Sequence, residues 1–329
     1  MKIDIVYLWV DDNDKKWRTE KEKWLGKLEK PQVLCRDSVA TERFRDNGEL
    51  MYSLRSVAEC APWVNHIYIV TGFNQIPKWL NTKNKKITIV PDSDILPSDA
   101  LPTFNSVAIE MCLTKIPGLS EHFLLMNDDM FFNKKLAPSY FFDFMGRAKY
   151  RYSTAHKMST EAIKKSNAYT QTIFMAQTAI SKLFHKNMFK YAPSHGIDPY
   201  IKSSRECLNE PDLRDKFEKQ IRNKFRTNNE FQRVIFNLYD LAKGRAKFIH
   251  ARARKYTRHK ILNFIYNFIH WFQIKQSNVV VPNVIVGGRA LSKAPIFCIN
   301  DGPENDKKIL QENRKFLKNR FPTKSEFEK

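Results

Sequence analysis

Phe123-Leu124-Leu125-Met126-Asn127-Asp128-Asp129-Met130-Phe131-Phe132 decides how this chain is read. One apolar run enters the polar trio and another leaves it. Short apolar runs bounded by polar residues read as buried strands. In an open α/β sheet, ligands gather outside the carboxyl ends of the strands. Asn127, Asp128 and Asp129 are therefore expected at a strand end, facing a crevice. Side chains alternate along an extended chain, so the two aspartates are expected to diverge, one toward a divalent metal and the other toward backbone or a partner. A plain polar turn between two strands is the alternative, since Asn and Asp form turns readily.

The same pattern recurs outward from this stretch. Residues 3–10 (IDIVYLWV) form a β-rich run followed at once by Asp11-Asp12, and residues 296–299 lead into Asn300-Asp301. Further strands are expected at 66–71, 87–90 and 278–286. Helices are expected at 17–30, from Leu50 through Val57, briefly from Pro77, from Val107 to Leu113, and over the charged segment carrying Ile309, Leu310, Phe316 and Leu317. Strands alternating with helices at these spacings predict an α/β fold with a mostly parallel sheet and crossover helices. Beyond residue 144 the composition shifts to Lys, Asn and Thr, and 145–275 reads as a mostly helical insertion between a core of 1–144 and a closing segment of 276–329.

The chain has 329 residues, 42% of them hydrophobic, enough for a sizeable core. Fifty-six Lys+Arg against 35 Asp+Glu leave a net charge of +21, which calls for an anionic partner. The excess is concentrated: residues 242–260 hold eight Lys/Arg and no acid, and the aromatic run 261–272 (ILNFIYNFIHWF) follows. A basic stretch beside an aromatic helix suits the interface of an anionic membrane. A packed helix with a solvated basic flank fits equally. A nucleic-acid-binding protein is a third expectation from charge alone, and the absence of a base-reading motif opposes it. Cys35, Cys60, Cys112, Cys207 and Cys298 lack metal-ligand spacing and read as free thiols of a reducing compartment. The N-terminus reads as a first strand, and no run is long enough to span a bilayer. The expected location is cytoplasmic, peripheral at the inner face of the plasma membrane.

Three strand ends thus carry acids: Asp11/Asp12, Asn127/Asp128/Asp129 and Asn300/Asp301. Carboxylates and amides are hard oxygen ligands suited to Mg²⁺ or Mn²⁺, and Mg²⁺ completes its shell with phosphate and water. Asp128 or Asp129, with Asn300 and Asp301, is the expected metal set. Arg43, Arg45, Arg55 and Arg226 offer planar guanidinium forks matched to phosphate. Asp46 and Asn47 follow Arg45 in an Asp-Asn-Gly turn, and Asn105 opens a helix. These residues and Asn127 are the remaining donor-binding candidates. His195, in a loop between Pro193 and Pro199, is the expected general base.

With these residues in hand the sequence resembles the Stealth family of sugar-1-phosphate transferases. Its blocks are matched by Ile3 to Asp11, by RFRDNGELMYSLRS through LPTFNSVAIE to IPGLSEHFLLMNDDMFF, by 193–200 with 224–231, and by FCIND with the closing FPTKSEFE. The chain departs from the pattern at Met51, where the family usually has arginine. The resemblance implies a nucleotide-sugar-transferase-like core and a capsular polysaccharide phosphotransferase. Such an enzyme passes hexose-1-phosphate, usually N-acetylated, from a UDP-sugar to a saccharide hydroxyl, forming a phosphodiester and releasing UMP. A metal-dependent glycosyltransferase releasing UDP is the alternative. Within the enzymatic reading Asp128, His195, Arg226 and Arg45 are the catalytic candidates.

Overall fold

The computed structural model describes residues 1–27, 38–154, 159–193, 195–250, 254–255, 278–302 and 306–329. The buried run β1 (Ile3–Trp9) opens the chain and leads into α1 (Lys15–Gly26), capped by Asp14 and shorter than the 17–30 expectation; 28–37 lie outside the described residues. Next, α2 (Glu49–Cys60) buries Leu50, Leu54 and Val57 on one stripe, as their spacing predicts, and leaves Arg55 beside it. Strands β2 (Ile67–Thr71) and β3 (Ile87–Pro91) follow. Pro77 starts no helix: Leu80 closes a turn on Pro77 and bridges Glu328, and Asn81 donates to the Phe327 carbonyl, so the C-terminal tail takes these backbone groups.

Helix α3 (Ser106–Cys112), capped by Asn105, precedes β4 (His122–Asn127) and β5 (Met130–Phe132). Strands β1, β2, β3 and β4 are parallel, in the order β3-β2-β1-β4. The expected mostly parallel α/β sheet is therefore present. Asp128 and Asp129 occupy a tight turn between β4 and β5, so strand alternation does not apply to them. The turn also separates two sheets, because β5 leaves β4 and pairs elsewhere.

The segment read as mostly helical carries strands as well. It comprises β6 (Ala148–Thr154), α4 (Thr160–Lys164), α5 (Ala168–Phe184), β7 (Tyr191–Pro193), β8 (Asp198–Ile201), α6 (Pro211–Ile221), α7 (Val234–Ala242) and β9 (Ala246–His250). β7, β6 and β9 form a three-stranded sheet, whereas β8 joins the main sheet antiparallel to β4, pairing Asp198 with Leu125. The period-3.6 signal of α5 masked these strands, of which β7 has three residues and β8 four. Of the basic-aromatic stretch, β9 and β10 (Arg254–Lys255) are strands, and 251–253 and 256–277 lie outside the described residues.

Strand β11 (Val279–Val281) stops at Pro282, and Asn283 caps α8 (Val284–Lys293), so the expected strand over 278–286 is half helix. β12 (Ile296–Ile299) is followed by α9 (Lys307–Arg320). β11 and β12 are parallel, and β12 pairs antiparallel with β5, Cys298 opposite Met130. Cys60, Cys112, Cys207 and Cys298 are buried free thiols. No helix among the described residues is long and apolar enough to cross a membrane.

Candidate active site

Parallel pairing aligns the carboxyl ends of β1 and β4, with Leu8 opposite Asn127, so Asp11 and Asp12 emerge beside the Asp128-Asp129 turn. The antiparallel β5–β12 pairing adds the end of β12 to the same edge. Ile299 N donates to the Asp129 carbonyl at 3.1 Å, and Asn300 and Asp301 follow. The antiparallel direction of β8 does likewise for His195, because β8 begins where β4 ends. Three pairings thus converge on one edge of the main sheet.

The turn after Arg45 closes the site. Asp46 Oδ1 accepts from Gly48 N at 2.8 Å, and Gly48 has φ +86°, a conformation glycine adopts without a Cβ penalty. Asn47 Nδ2 donates to Asp301 Oδ2 at 3.2 Å, and Arg45 Nη1 lies 3.3 Å from the same oxygen. Asp301 Oδ1 accepts from Gly302 N. Asp11 Oδ1 accepts from the backbone and side chain of Asn13, and Gln75 brackets the Asp11 backbone from both sides.

The electrostatics are those of crowded acids. Burial pushes Asp128 well above its usual range, and the charges of Asp129, Glu49 and Asp46 push it further. Asp129 is pushed up to about 6 by burial, with Cys298 and Arg233 pulling it back. Glu49 is pushed up to about 7, again by burial first. Burial also raises Asp12 and Asp46. Such a set gains from a bound cation, which replaces repulsion among carboxylates with attraction. Asp129 Oδ1, moreover, is buried with no hydrogen-bond partner among the described residues.

Ligand atoms of Asp129, His195 and Cys298 lie within 4.8 Å of one another. Taken alone that trio is a nitrogen-sulfur set of the kind zinc prefers. However, the Cys298 thiol donates to Asp129 Oδ2 at 3.1 Å, and burial drives its pKa well up, so it remains a protonated donor. Thiolate, not thiol, binds metal. What remains of the trio is the Asp129 carboxylate and the His195 imidazole, with Asp128 and Asp301 near enough for charge interaction with Asp129.

Other predicted residues lie elsewhere or are engaged. Arg55 Nη2 meets Glu328 Oε2 at 2.7 Å and its Nη1 donates to the Phe321 carbonyl, so it anchors the C-terminal tail. Asn105 is fully buried; Oδ1 caps α3 at Val107 N and Nδ2 donates to Glu230 Oε1 at 3.1 Å. The Arg226 guanidinium binds the Ser106 hydroxyl beside that cap. Arg43 is exposed on the turn Thr41–Arg43, and Asn300 is exposed beyond β12. Asn127 stays at the site, its Oδ1 3.4 Å from Arg233 Nη1.

Sequence reasoning missed Arg233 and Cys298. Arg233 is buried, paired with Glu110 at 2.9 Å, and is the cation behind β4. A lone charge at the head of the apolar run Val234-Ile235-Phe236 was its only signal. Cys298 carried none beyond lying in a strand.

Residues 1–29 match the model of Stealth protein CR1, conserved region 1, and residues 43–150 match Stealth protein CR2, conserved region 2. The capsular polysaccharide phosphotransferase fcs1 of Haemophilus influenzae is 35% identical over 235 residues, 71% of this chain and 63% of that protein. The exopolysaccharide phosphotransferase cps2G of Lactiplantibacillus plantarum is 45% identical over 147 residues, 45% of this chain and 41% of that protein. WcwK of Streptococcus pneumoniae, a capsular polysaccharide phosphotransferase, is 27% identical over 353 residues and 99% of both chains. The chain thus spans less than two thirds of the first two relatives. Among solved structures, the galactosyltransferase LgtC in complex with donor and acceptor sugar analogues aligns over 97% of this chain and 95% of that one, with 10% identity and a TM-score of 0.44.

Proposed function

Because the chain belongs with the Stealth proteins over residues 1–29 and 43–150, we propose that it is a capsular polysaccharide phosphotransferase. It transfers a hexose-1-phosphate, foremost N-acetylhexosamine-1-phosphate, from a UDP-sugar to a saccharide hydroxyl. The bond formed joins the acceptor oxygen to the β-phosphorus of the donor; the bond broken is the one linking that phosphorus to the bridging oxygen, which leaves with UMP. The names of the relatives support phosphotransfer.

One observation carries the reading: Asp128 and Asp129, Asp301, Arg45 and His195 come to a single sheet edge from four separate segments. Phosphoryl transfer needs little covalent help and much positioning and charge neutralisation. Mg²⁺ or Mn²⁺ held by Asp129 and Asp301, with Asp128, would neutralise the diphosphate when bound. Arg45 lies against Asp301, where its remaining N–H groups can take a donor phosphate. Arg43, exposed on the preceding turn, is the second guanidinium in this proposal. His195 takes the acceptor hydroxyl proton. Asp11 and Asp12 flank the nucleotide side of the edge.

The test is product analysis with a panel of UDP-sugars, a saccharide acceptor and Mg²⁺. UMP and a phosphodiester of the expected mass are the predicted products, and Asp129→Asn lowers turnover by about 10²-fold or more, the scale of losing a principal charge stabiliser. Release of UDP would instead make the chain a metal-dependent glycosyltransferase.

A further inference from the structure

Phe141-Phe142-Asp143-Phe144-Met145-Gly146-Arg147 sits at the end of the main sheet opposite the acids. Phe141 and Phe142 are buried, whereas Phe144 is 94% exposed and Met145 64%. This is no frayed loop. Asp143 Oδ1 accepts from both Met145 N and Arg147 N at 2.9 Å, and Asp143 N donates to the Arg147 carbonyl. Gly146 has φ +78° and its carbonyl is bound by His122 Nε2 at 2.8 Å, with the His122 ring edge-on to Phe142. The turn is held from both sides, and it presents Phe144 and Met145 outward.

Cations lie at the base of the tip. Asp143 is met by two, Arg147 Nε at 2.9 Å and Lys247 Nζ at 3.1 Å, so the three groups together carry one excess positive charge. Lys2 lies in the groove beside Phe144, together with Glu121. The chain as a whole carries +21.

We propose that the Phe144-Met145 tip is a membrane-insertion point that seats the protein on an anionic lipid surface. The size of the feature favours lipid over protein. Two side chains supply about 400 Å², roughly half of what each partner of a stable protein interface buries. A rigid aromatic-and-Met tip with a cationic base matches the headgroup boundary, where apolar insertion and attraction to acidic lipids act together. The tip lies at the amino end of β4, so docking there leaves the acid-lined edge open to soluble donor.

The experiment is vesicle co-sedimentation of the full chain with phosphatidylcholine vesicles, with and without about one third phosphatidylserine. Binding is expected only with phosphatidylserine, weakened by 0.5 M salt. Phe144→Ser/Met145→Ser should weaken it by about tenfold or more, as losing two inserted apolar groups would. Both positions are exposed, so thermal unfolding and transferase turnover on a soluble acceptor stay at wild-type values. Undiminished vesicle binding by the double variant overturns the proposal and moves any lipid contact elsewhere on the chain. Equal binding to neutral vesicles overturns it too, as does a concentration-dependent dimer that the substitutions abolish while lipid binding is absent.

Discussion

Glu230 shows how much a single carboxyl can set. It is fully buried, Oε1 accepts from Asn105 and Asn223, and Oε2 has no hydrogen-bond partner among the described residues. Burial raises it from 4.5 to about 7. A raised acid keeps its proton in the folded state while the unfolded chain releases it. Stability is therefore greatest below pH 4.5 as far as this group is concerned, and declines as pH rises toward 7. Glu230→Gln removes the decline: urea unfolding should find the variant more stable at pH 8 by up to about 3 kcal/mol and unchanged near pH 4. Arg55 is the complementary case. Its partner Glu328 has a side chain only 5% exposed, so Arg55→Ala leaves a carboxylate stranded. We expect a loss of about 2 kcal/mol, discounted from the range for buried pairs, with the donor KM unchanged. A raised donor KM at wild-type stability would return Arg55 to phosphate binding.

Individual elements determine which residues meet. Gly196, next to His195, has no room for a side chain: a Cβ there would press into the Asn278 amide at the start of β11. Gly196→Ala should therefore push the His195 loop away from Asp129, lowering kcat by about tenfold or more while donor KM moves little, since misplacement by an ångström is costly in a positioned reaction. Steady-state kinetics decides it, and an unchanged kcat would detach His195 from the chemistry. The same element explains what could be read from sequence. Acids at strand ends form a local pattern, so Asp11, Asp129 and Asp301 were visible together. The insertion of β8 beside β4 is a long-range choice made by packing, and nothing local in Asp198-Pro199-Tyr200-Ile201 announces it. Cys298 joined the site through that same kind of pairing, β12 with β5, and Arg233, just ahead of α7, through side-chain contacts with Glu110 and Asn127. Asn105 was read toward substrate because a cap and a ligand residue look alike until the neighbour Glu230 is seen.

At the scale of the whole molecule, charge and chemistry separate. The acids face outward from one end of the main sheet, and the cationic Phe144 turn occupies the other. Sequence showed the excess of Lys and Arg but assigned it to 242–272, most of which lies outside the described residues. The exposed Phe-Met pair was hidden in an aromatic run whose first two members are core. Composition cannot distinguish them; only the turn made by Asp143 and Gly146 does.

The β5–β12 pairing also sets an order of events at the ribosome. Asp129 and Cys298 touch although they are 169 residues apart. At ordinary rates of synthesis that separation lasts about 10–30 s, during which the first aspartates have emerged and their neighbours do not yet exist. A nascent chain can fold its leading strands in that interval and still be inert. The candidate site is complete only once Cys298 and Asp301 have been made, so a message interrupted before them yields no assembled site.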